Sequence, residues 1–156
     1  MARLKATFWH RNKFKLSGLL LLLPVYYLYQ SLHPTFPDSL QEQQIGDFKI
    51  AAMPLDMDGA YRHDGEYIKD FMVLFNQGNP EQIRQGFMSI GPAPLSFDTL
   101  QDGDLGILHG SRYGKHVHAL AAAEFSASDR IWLTIETWQG ELNTISWPLP
   151  AQWLSN

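Results

Sequence analysis

IWLTIETW, residues Ile131 to Trp138, is the stretch that decides the fold class of this chain. From Ile131 to Ile135 every second residue is aliphatic, and the residues between them are aromatic or polar. This period-two alternation is typical of a β-strand that buries one face. Gln139-Gly140 follows as a two-residue hairpin loop, and Glu141 to Trp147 returns as the paired strand. The C-terminal part of the chain is therefore predicted to form an antiparallel hairpin.

Further strands are predicted upstream of this hairpin by the same reasoning. The segments are Gly46 to Met53, Glu66 to Phe75, Gln82 to Ile90 and His116 to Phe125. The third segment could instead begin a short helix, because Asn79 can cap a helix with Pro80 at its first position. The strand is favoured there, since Gly86 would weaken a helix. Short strands separated by turn signals every 8–12 residues or so predict an all-β, immunoglobulin-like β-sandwich over residues 46–150.

The N-terminal segment has a different pattern. Residues Leu16 to Tyr29, LSGLLLLLPVYYLY, carry no charge. A membrane-spanning helix needs roughly 17–25 mostly apolar residues, tyrosines favour the membrane interface, and membrane helices tolerate a proline such as Pro24. One N-terminal transmembrane helix is therefore predicted over residues 16–32. A polar tether containing prolines is predicted over residues 33–45.

Charge predicts the orientation of this anchor. Residues 1–15 contain five basic side chains and no acidic one: Arg3, Lys5, Arg11, Lys13 and Lys15. Positively charged flanks stay in the cytoplasm, so residues 1–15 are predicted to be a cytoplasmic basic segment, with the domain on the opposite side of the membrane. Residues Gln30 to Pro34 lack the small-residue triplet that precedes a signal-peptide cleavage site. This favours an uncleaved anchor, although the pattern leaves cleavage open.

Composition beyond residue 37 excludes several classes of function. This part of the chain holds all 16 acidic residues but only 7 of the 12 basic ones, which gives it a formal charge of −9. A nucleic-acid-binding domain would carry the opposite sign, so no nucleic-acid partner is expected. The chain has no cysteine. Disulfides, thiol catalysis and cysteine-ligated metal sites are therefore excluded.

Histidines form the sharpest local pattern. His116 and His118 are two residues apart on a predicted strand, so their side chains project from the same face. His109 ends the preceding strand and can approach the same point across a glycine-rich turn. Imidazole is a ligand for copper, zinc and iron. These three histidines, with His63 from another turn-rich segment, are therefore predicted to bind a transition metal.

The identity of the metal and the rest of its ligands stay open. Met53, Met57, Asp56 and Asp58 lie close to His63 in sequence and could complete the coordination. A mixture of methionine and histidine would favour copper, whereas histidines alone also suit zinc and iron. The alternative is that the histidines are ordinary surface residues.

Catalytic signatures are absent from the sequence. It contains no G-x-S-x-G, H-E-x-x-H or phosphate-binding P-loop motif, so the protein is predicted not to be an enzyme. Four tryptophans cluster near the C-terminus: Trp132, Trp138, Trp147 and Trp153. They either pack the core or form an aromatic surface for a partner protein. The second possibility supports an alternative function, a protein-interaction module of an inner-membrane complex with no ligand of its own.

Most of residues 46–149 carries a pattern shared with a known group of proteins. The matching positions are Lys69-Asp70-Phe71, Phe75, Ile83-Arg84, Ile90-Gly91, Leu108-His109-Gly110, His118-Ala119, Asp129 to Thr134 and Ser146 to Leu149. At these positions the chain resembles small membrane-anchored periplasmic proteins that are encoded beside TonB-dependent siderophore receptors and PepSY-type membrane proteins in Gram-negative bacteria. Members of that group often carry a Cys-x-x-Cys after the phenylalanine, where this chain has Asn76 and Asn79.

The resemblance implies a location and a role. The location is the inner membrane, crossed once, with the N-terminus in the cytoplasm and the C-terminal domain in the periplasm. The role is that of an accessory protein in the uptake or handling of a metal or of siderophore-bound iron. The implied partner is an integral membrane protein of the uptake system.

Overall fold

The computed structural model describes residues 7–103, 105–111 and 114–154. The chain divides into two compact units, Met1–Thr35 and Phe36–Asn156. The first unit contains helices and the second contains the strands.

The N-terminal unit consists of two helices, α1 (Phe8–Leu20) and α2 (Leu22–Leu32), which meet at Leu21. The Thr7 side chain caps α1 by accepting a hydrogen bond from the backbone N–H of His10, at 3.5 Å. Pro24 explains the break between the helices. It lacks the N–H that would bond to the carbonyl of Leu20, and its ring crowds that carbonyl.

This arrangement differs from the single transmembrane helix predicted over residues 16–32. No helix among the described residues is both long enough and apolar enough to cross a membrane. The leucines and tyrosines of α2 are exposed within their unit, and none of its residues is buried. Residues 1–6 of the predicted cytoplasmic basic segment lie outside the described residues.

The second unit is built from nine strands in its described part. They are β1 (Gln43–Ile45), β2 (Phe48–Pro54), β3 (Tyr61–His63), β4 (Glu66–Gln77), β5 (Ile83–Gly91), β6 (His109–Ser111), β7 (Gly114–Ala121), β8 (Arg130–Thr137) and β9 (Leu142–Pro148). A short helix, α3 (Phe97–Gln101), and two 3₁₀ turns, Pro80–Gln82 and Ala151–Leu154, connect or follow them. The prediction of an all-β domain is confirmed.

The strands form one continuous sheet in the order β1-β2-β4-β7-β5-β8-β9, with β3 added to β4 and β6 added to β7. Neighbouring strands are antiparallel except β5 and β7, which meet in parallel at Ser89 and Leu120. The two ends of the sheet, β1 and β9, contact each other, so the sheet is nearly closed and barrel-like.

A single barrel-like sheet is not the pair of stacked sheets that an immunoglobulin-like sandwich requires. The join between β5 and β7 accounts for the difference. The N–H of Met88 donates to the carbonyl of Gly106 at 2.8 Å, and the N–H of Gly106 donates to the carbonyl of His118 at 3.0 Å. Residues 105–108 thus link two strands that a sandwich would place in separate sheets. Alternation along a strand is the same in both architectures.

The core lies on the inner face of this sheet. Ile131, Leu133 and Ile135 are fully buried, which confirms the face predicted from their alternation. Trp147 is also fully buried, and its indole N–H donates to the carbonyl of Gln41 at 2.6 Å. The strand predicted over residues 82–90 is confirmed as β5.

The chain joins the domain within the segment predicted as a tether. The N–H of Leu40 donates to the carbonyl of Ala52 at 2.7 Å, and β1 pairs with β2 from Gln43 onward. The indole bond from Trp147 to Gln41 adds a third attachment. These contacts order the last part of residues 33–45 against the sheet.

One charged side chain points to the core side of β4. Lys69 is completely buried, and its Nζ forms an ion pair with the Asp56 carboxylate. The same ammonium lies 5.4 Å from the centre of the Trp153 ring. Trp153 in turn donates its indole N–H to the carbonyl of Met57 at 3.0 Å. Lys69 therefore connects the C-terminal 3₁₀ turn to the loop after β2.

Candidate metal centre

Strand register places three histidines on the outer face of the sheet. His116 and His118 occupy alternate positions of β7, so both project outward. His109 lies directly opposite His116 in the β6–β7 hairpin, and directly paired residues share a face. The position of each histidine is set by a strand and not by a long loop, because all three belong to two adjacent strands, β6 and β7.

The three rings present a metal-sized set of nitrogen atoms. One ligand atom from each of His109, His116 and His118 lies within 4.8 Å of the others. Nδ1 of His116 and Nε2 of His109 are only 3.2 Å apart. Two nitrogens bound tetrahedrally to one zinc ion would be about 3.3 Å apart, given Zn–N bonds of about 2.0–2.1 Å. The structure thus brings together three of the four histidines predicted to bind metal.

Hydrogen bonds orient two of these rings for coordination. Nδ1 of His109 lies 3.1 Å from the carbonyl of Ile107, and Nδ1 of His118 lies 2.5 Å from Oδ1 of Asp70. A carbonyl or carboxylate oxygen only accepts hydrogen bonds, so each Nδ1 must carry the proton and donate it. The lone pair of each ring is then on Nε2. Metal-ligating histidines are commonly held in this way by a carboxylate or carbonyl on their other nitrogen.

The third ring, that of His116, has His109 next to one of its nitrogens and Asp70 facing the other. Since Nε2 of His109 is an acceptor, Nδ1 of His116 donates to it when no metal is bound. Nε2 of His116 lies 3.8 Å from Oδ1 of Asp70. For Nδ1 to coordinate a metal, its proton must move to Nε2, where Asp70 faces it. One carboxylate would then face the protonated nitrogens of both His116 and His118.

Asp70 is the functional residue that the sequence did not identify. It lies directly opposite His118 in the pairing of β4 with β7. The hydroxyl of Tyr61 donates to its second oxygen, Oδ2, at 2.8 Å. Burial, and then this hydrogen bond, raise the pKa of Tyr61 to about 12. Tyr61 therefore remains a neutral donor that fixes the carboxylate. The sequence did hold one signal for the importance of Asp70, which is the single acidic residue within the apolar run of β4.

The electrostatics of the cluster favour neutral imidazole at His116. Burial lowers the pKa of His116 below its ordinary value, and the neighbouring His118 and His109 lower it further, against the opposing effect of Asp70. A lower pKa keeps the ring unprotonated to a lower pH. Neutral imidazole is the form that binds a metal.

His63 is placed beside the cluster and is not one of its members among the residues that the structure describes. Its ring stacks on that of His118, with centroids 5.5 Å apart, and its Nε2 lies 3.4 Å from Oδ2 of Asp64. Among the described residues β3 pairs with β4 and not with β7, which sets His63 two strands further from His109 than His118 is. Asp56, considered as a further ligand, is engaged with Lys69.

Gly110 allows β6 to bring His109 to His116. Its φ is +124°, and a Cβ added there would lie 2.7 Å from the carbonyl oxygen of Gly114. We expect Gly110→Ala to lower the free energy of unfolding by about 1–3 kcal/mol and to weaken metal binding. Chemical denaturation and metal titration measure the two effects. Gly59→Ala is the matched control because its added Cβ meets nothing within 4 Å. Equal metal affinity in both variants would contradict this role for Gly110.

A family model described as Uncharacterised conserved protein UCP029505 matches residues 8–150. The chain belongs to this family. The matched range contains the two N-terminal helices as well as all nine strands, so the UCP029505 pattern includes both units and the complete histidine cluster. The curated proteins and the solved structures contain no match to this chain.

Proposed function

We propose that this protein binds a transition metal ion through His109, His116 and His118. The observation that carries the proposal is the pre-oriented cluster, in which three ligand atoms lie within 4.8 Å of one another. Nδ1 of His109 and Nδ1 of His118 are each fixed by a hydrogen bond, and Nε2 of His109 lies 3.2 Å from Nδ1 of His116. Here Ile107 and Asp70 supply those bonds. Three imidazoles suit copper, zinc or iron.

The biological setting that we propose is an inner-membrane-anchored accessory protein of metal or siderophore-iron uptake, without enzymatic activity. Its support is the resemblance of residues 46–149 to proteins encoded beside siderophore receptors. A second support is the N-terminal unit, whose basic start is followed by exposed apolar and tyrosine side chains. Such a surface suits a lipid bilayer, with basic residues on the cytoplasmic side. The partner would be an integral membrane protein of the same uptake system.

The metal-binding proposal is tested by ligand-induced stabilisation of the full chain in detergent micelles. An ion at 100 times its dissociation constant should raise the free energy of unfolding by about 2.7 kcal/mol. Copper, zinc and ferrous ions would be compared by thermal unfolding. His118→Ala should abolish the stabilisation, while His63→Ala should preserve it because His63 lies outside the cluster. Equal stabilisation of the parent and His118→Ala would contradict the proposal.

The proposed orientation is tested separately. A reporter enzyme that is active only in the periplasm, fused after residue 156, should be active in cells. Replacing the five basic residues of the N-terminal segment by glutamine should reduce that activity, because the charge asymmetry that sets the orientation is lost. Activity only from a reporter that requires the cytoplasm would reverse the topology.

An interaction module is the second candidate function, and one observation favours it. Trp138 is 65% exposed and Leu142 is 51% exposed, and both lie at the β8–β9 hairpin. Exposed tryptophans are frequent centres of protein–protein binding energy. This surface and the histidine cluster involve different residues, so loss of metal binding would leave the interaction function intact.

A further inference from the structure

We infer that the metal ion completes its coordination with an anionic oxygen chelator from outside the chain, so that the site takes a metal–chelate complex. This inference rests on the proposed metal binding by His109, His116 and His118. It names the class of ligand that arrives with the ion. Small bidentate anions such as hydroxamates are the chemistry that the geometry fits.

The position of the donors leaves one side of the ion open. All three imidazoles rise from adjacent strands, β6 and β7, on one face of the sheet. The side chains of His116 and His118 are 26% and 32% exposed, and His109 is exposed. Three ligands leave one position on a four-coordinate ion and three on a six-coordinate ion. Since the protein lies beneath the donors, the three free positions of a six-coordinate ion would face outward, and two adjacent ones would accept a bidentate ligand.

Three polar side chains beside the cluster, those of Asp70, Tyr61 and His63, each have other partners. Both oxygens of Asp70 are already engaged, one by His118 and one by Tyr61. The His63 ring is nearly parallel to that of His118, at 22°, and lies beside it.

Charge favours an anion as the missing ligand. The three imidazoles are neutral as ligands, so a divalent or trivalent ion keeps its full charge within its first coordination sphere. Asp70, which faces His116 and His118, supplies one negative charge outside the first coordination sphere. An anion at the open positions would compensate more of the charge of the ion than water would.

The test uses the full chain in detergent micelles, loaded with cobalt(II), whose visible spectrum reports the ligands around the ion. Titration with cobalt first establishes that the ion is bound. Acetohydroxamate is then added as the probe. We expect a saturable change in the cobalt spectrum with one acetohydroxamate per ion, and cobalt should remain with the protein after filtration. His63→Ala should respond as the parent does.

The outcomes separate the two proposals. If cobalt does not bind, the proposed function fails and the inference fails with it. If cobalt binds but acetohydroxamate leaves the spectrum unchanged, or removes the ion into the filtrate, metal binding stands and the chelate inference is overturned. If only His63→Ala responds to acetohydroxamate, His63 is the fourth ligand in the parent, and the inference is again overturned.

Discussion

Replacing Asp56 with alanine should lower the free energy of unfolding by about 3 kcal/mol, whereas Lys69→Met should change it by less than about 1 kcal/mol. The reason is the asymmetry of the pair. Lys69 is completely buried, while the Asp56 side chain is 49% exposed. Without Asp56, the buried ammonium loses its counter-charge, and the nearby Trp153 ring compensates only part of that loss. Removal of one partner of a fully buried pair costs about 3–5 kcal/mol, and the half-exposed position of Asp56 places this case at the lower end.

The Lys69→Met replacement removes the buried ammonium, which is the charge that burial penalises. Methionine has nearly the length of lysine and suits the apolar surroundings of β4. Asp56 then remains hydrated and keeps the hydrogen bond that the backbone N–H of Asp58 donates to it at 2.9 Å. Urea unfolding followed by circular dichroism measures both variants. The double variant should be about as stable as Lys69→Met alone. Additive losses from the two single changes would contradict the account of this pair.

The strands could be predicted because their signals are local. Alternation from Ile131 to Ile135 marked a buried face before any neighbour was known, and all three aliphatic residues are fully buried. The ambiguity at Asn79 and Pro80 was also real. Asn79 accepts a hydrogen bond from the N–H of Glu81 at 3.0 Å and caps a 3₁₀ turn, after which β5 begins.

The closure of the sheet could not be predicted because it depends on distant pairing. The alternation that suggested a sandwich only shows that one face of each strand is buried. Whether β5 joins β7 is decided by backbone bonds through Gly106, which no periodicity reveals. No helix was predicted over the segment that forms α3, although it had one local signal. The side chain of Ser96 accepts a hydrogen bond from the N–H of Thr99 at 3.2 Å, as a helix cap does.

The candidate site shows the same division. The spacing of His116 and His118 and the hairpin that returns His109 are local features, and they predicted the cluster. Asp70 is 48 residues from His118 in sequence and reaches it only through the register of β4 against β7. His63 was grouped with the other histidines, but in the described part of the chain its strand, β3, pairs with β4 and not with β7.

Simultaneous replacement of His116 and His118 by alanine should remove metal binding. The change deletes two of the three ligands, the two whose rings face Asp70. The remaining His109 would have the metal affinity of a single surface imidazole. Binding in the parent should also depend on pH. Protons compete for the same lone pairs, and an ordinary histidine has a pKa of about 6.5. The lowered pKa of His116 keeps that ligand available below this value.

The expected pH profile of the metal affinity follows from this competition between protons and the metal ion. Affinity should be full near pH 7.5, decline as pH falls below about 6.5, and be largely lost near pH 5. Competition with a chromophoric chelator at a series of pH values measures the profile. A profile that is flat between pH 7.5 and 5 would mean that carboxylates, and not imidazoles, hold the ion.

The most direct test of the three-histidine site is calorimetric titration of the full chain with copper, zinc and ferrous ions at pH 7.5. The parent and the His116→Ala, His118→Ala double variant would be titrated side by side, with His63→Ala as the control. We predict one ion per chain, bound with micromolar or tighter affinity by the parent and the control, and no detectable binding by the double variant. Equal binding by the parent and the double variant, or no binding of any of the three ions by the parent, would contradict the site.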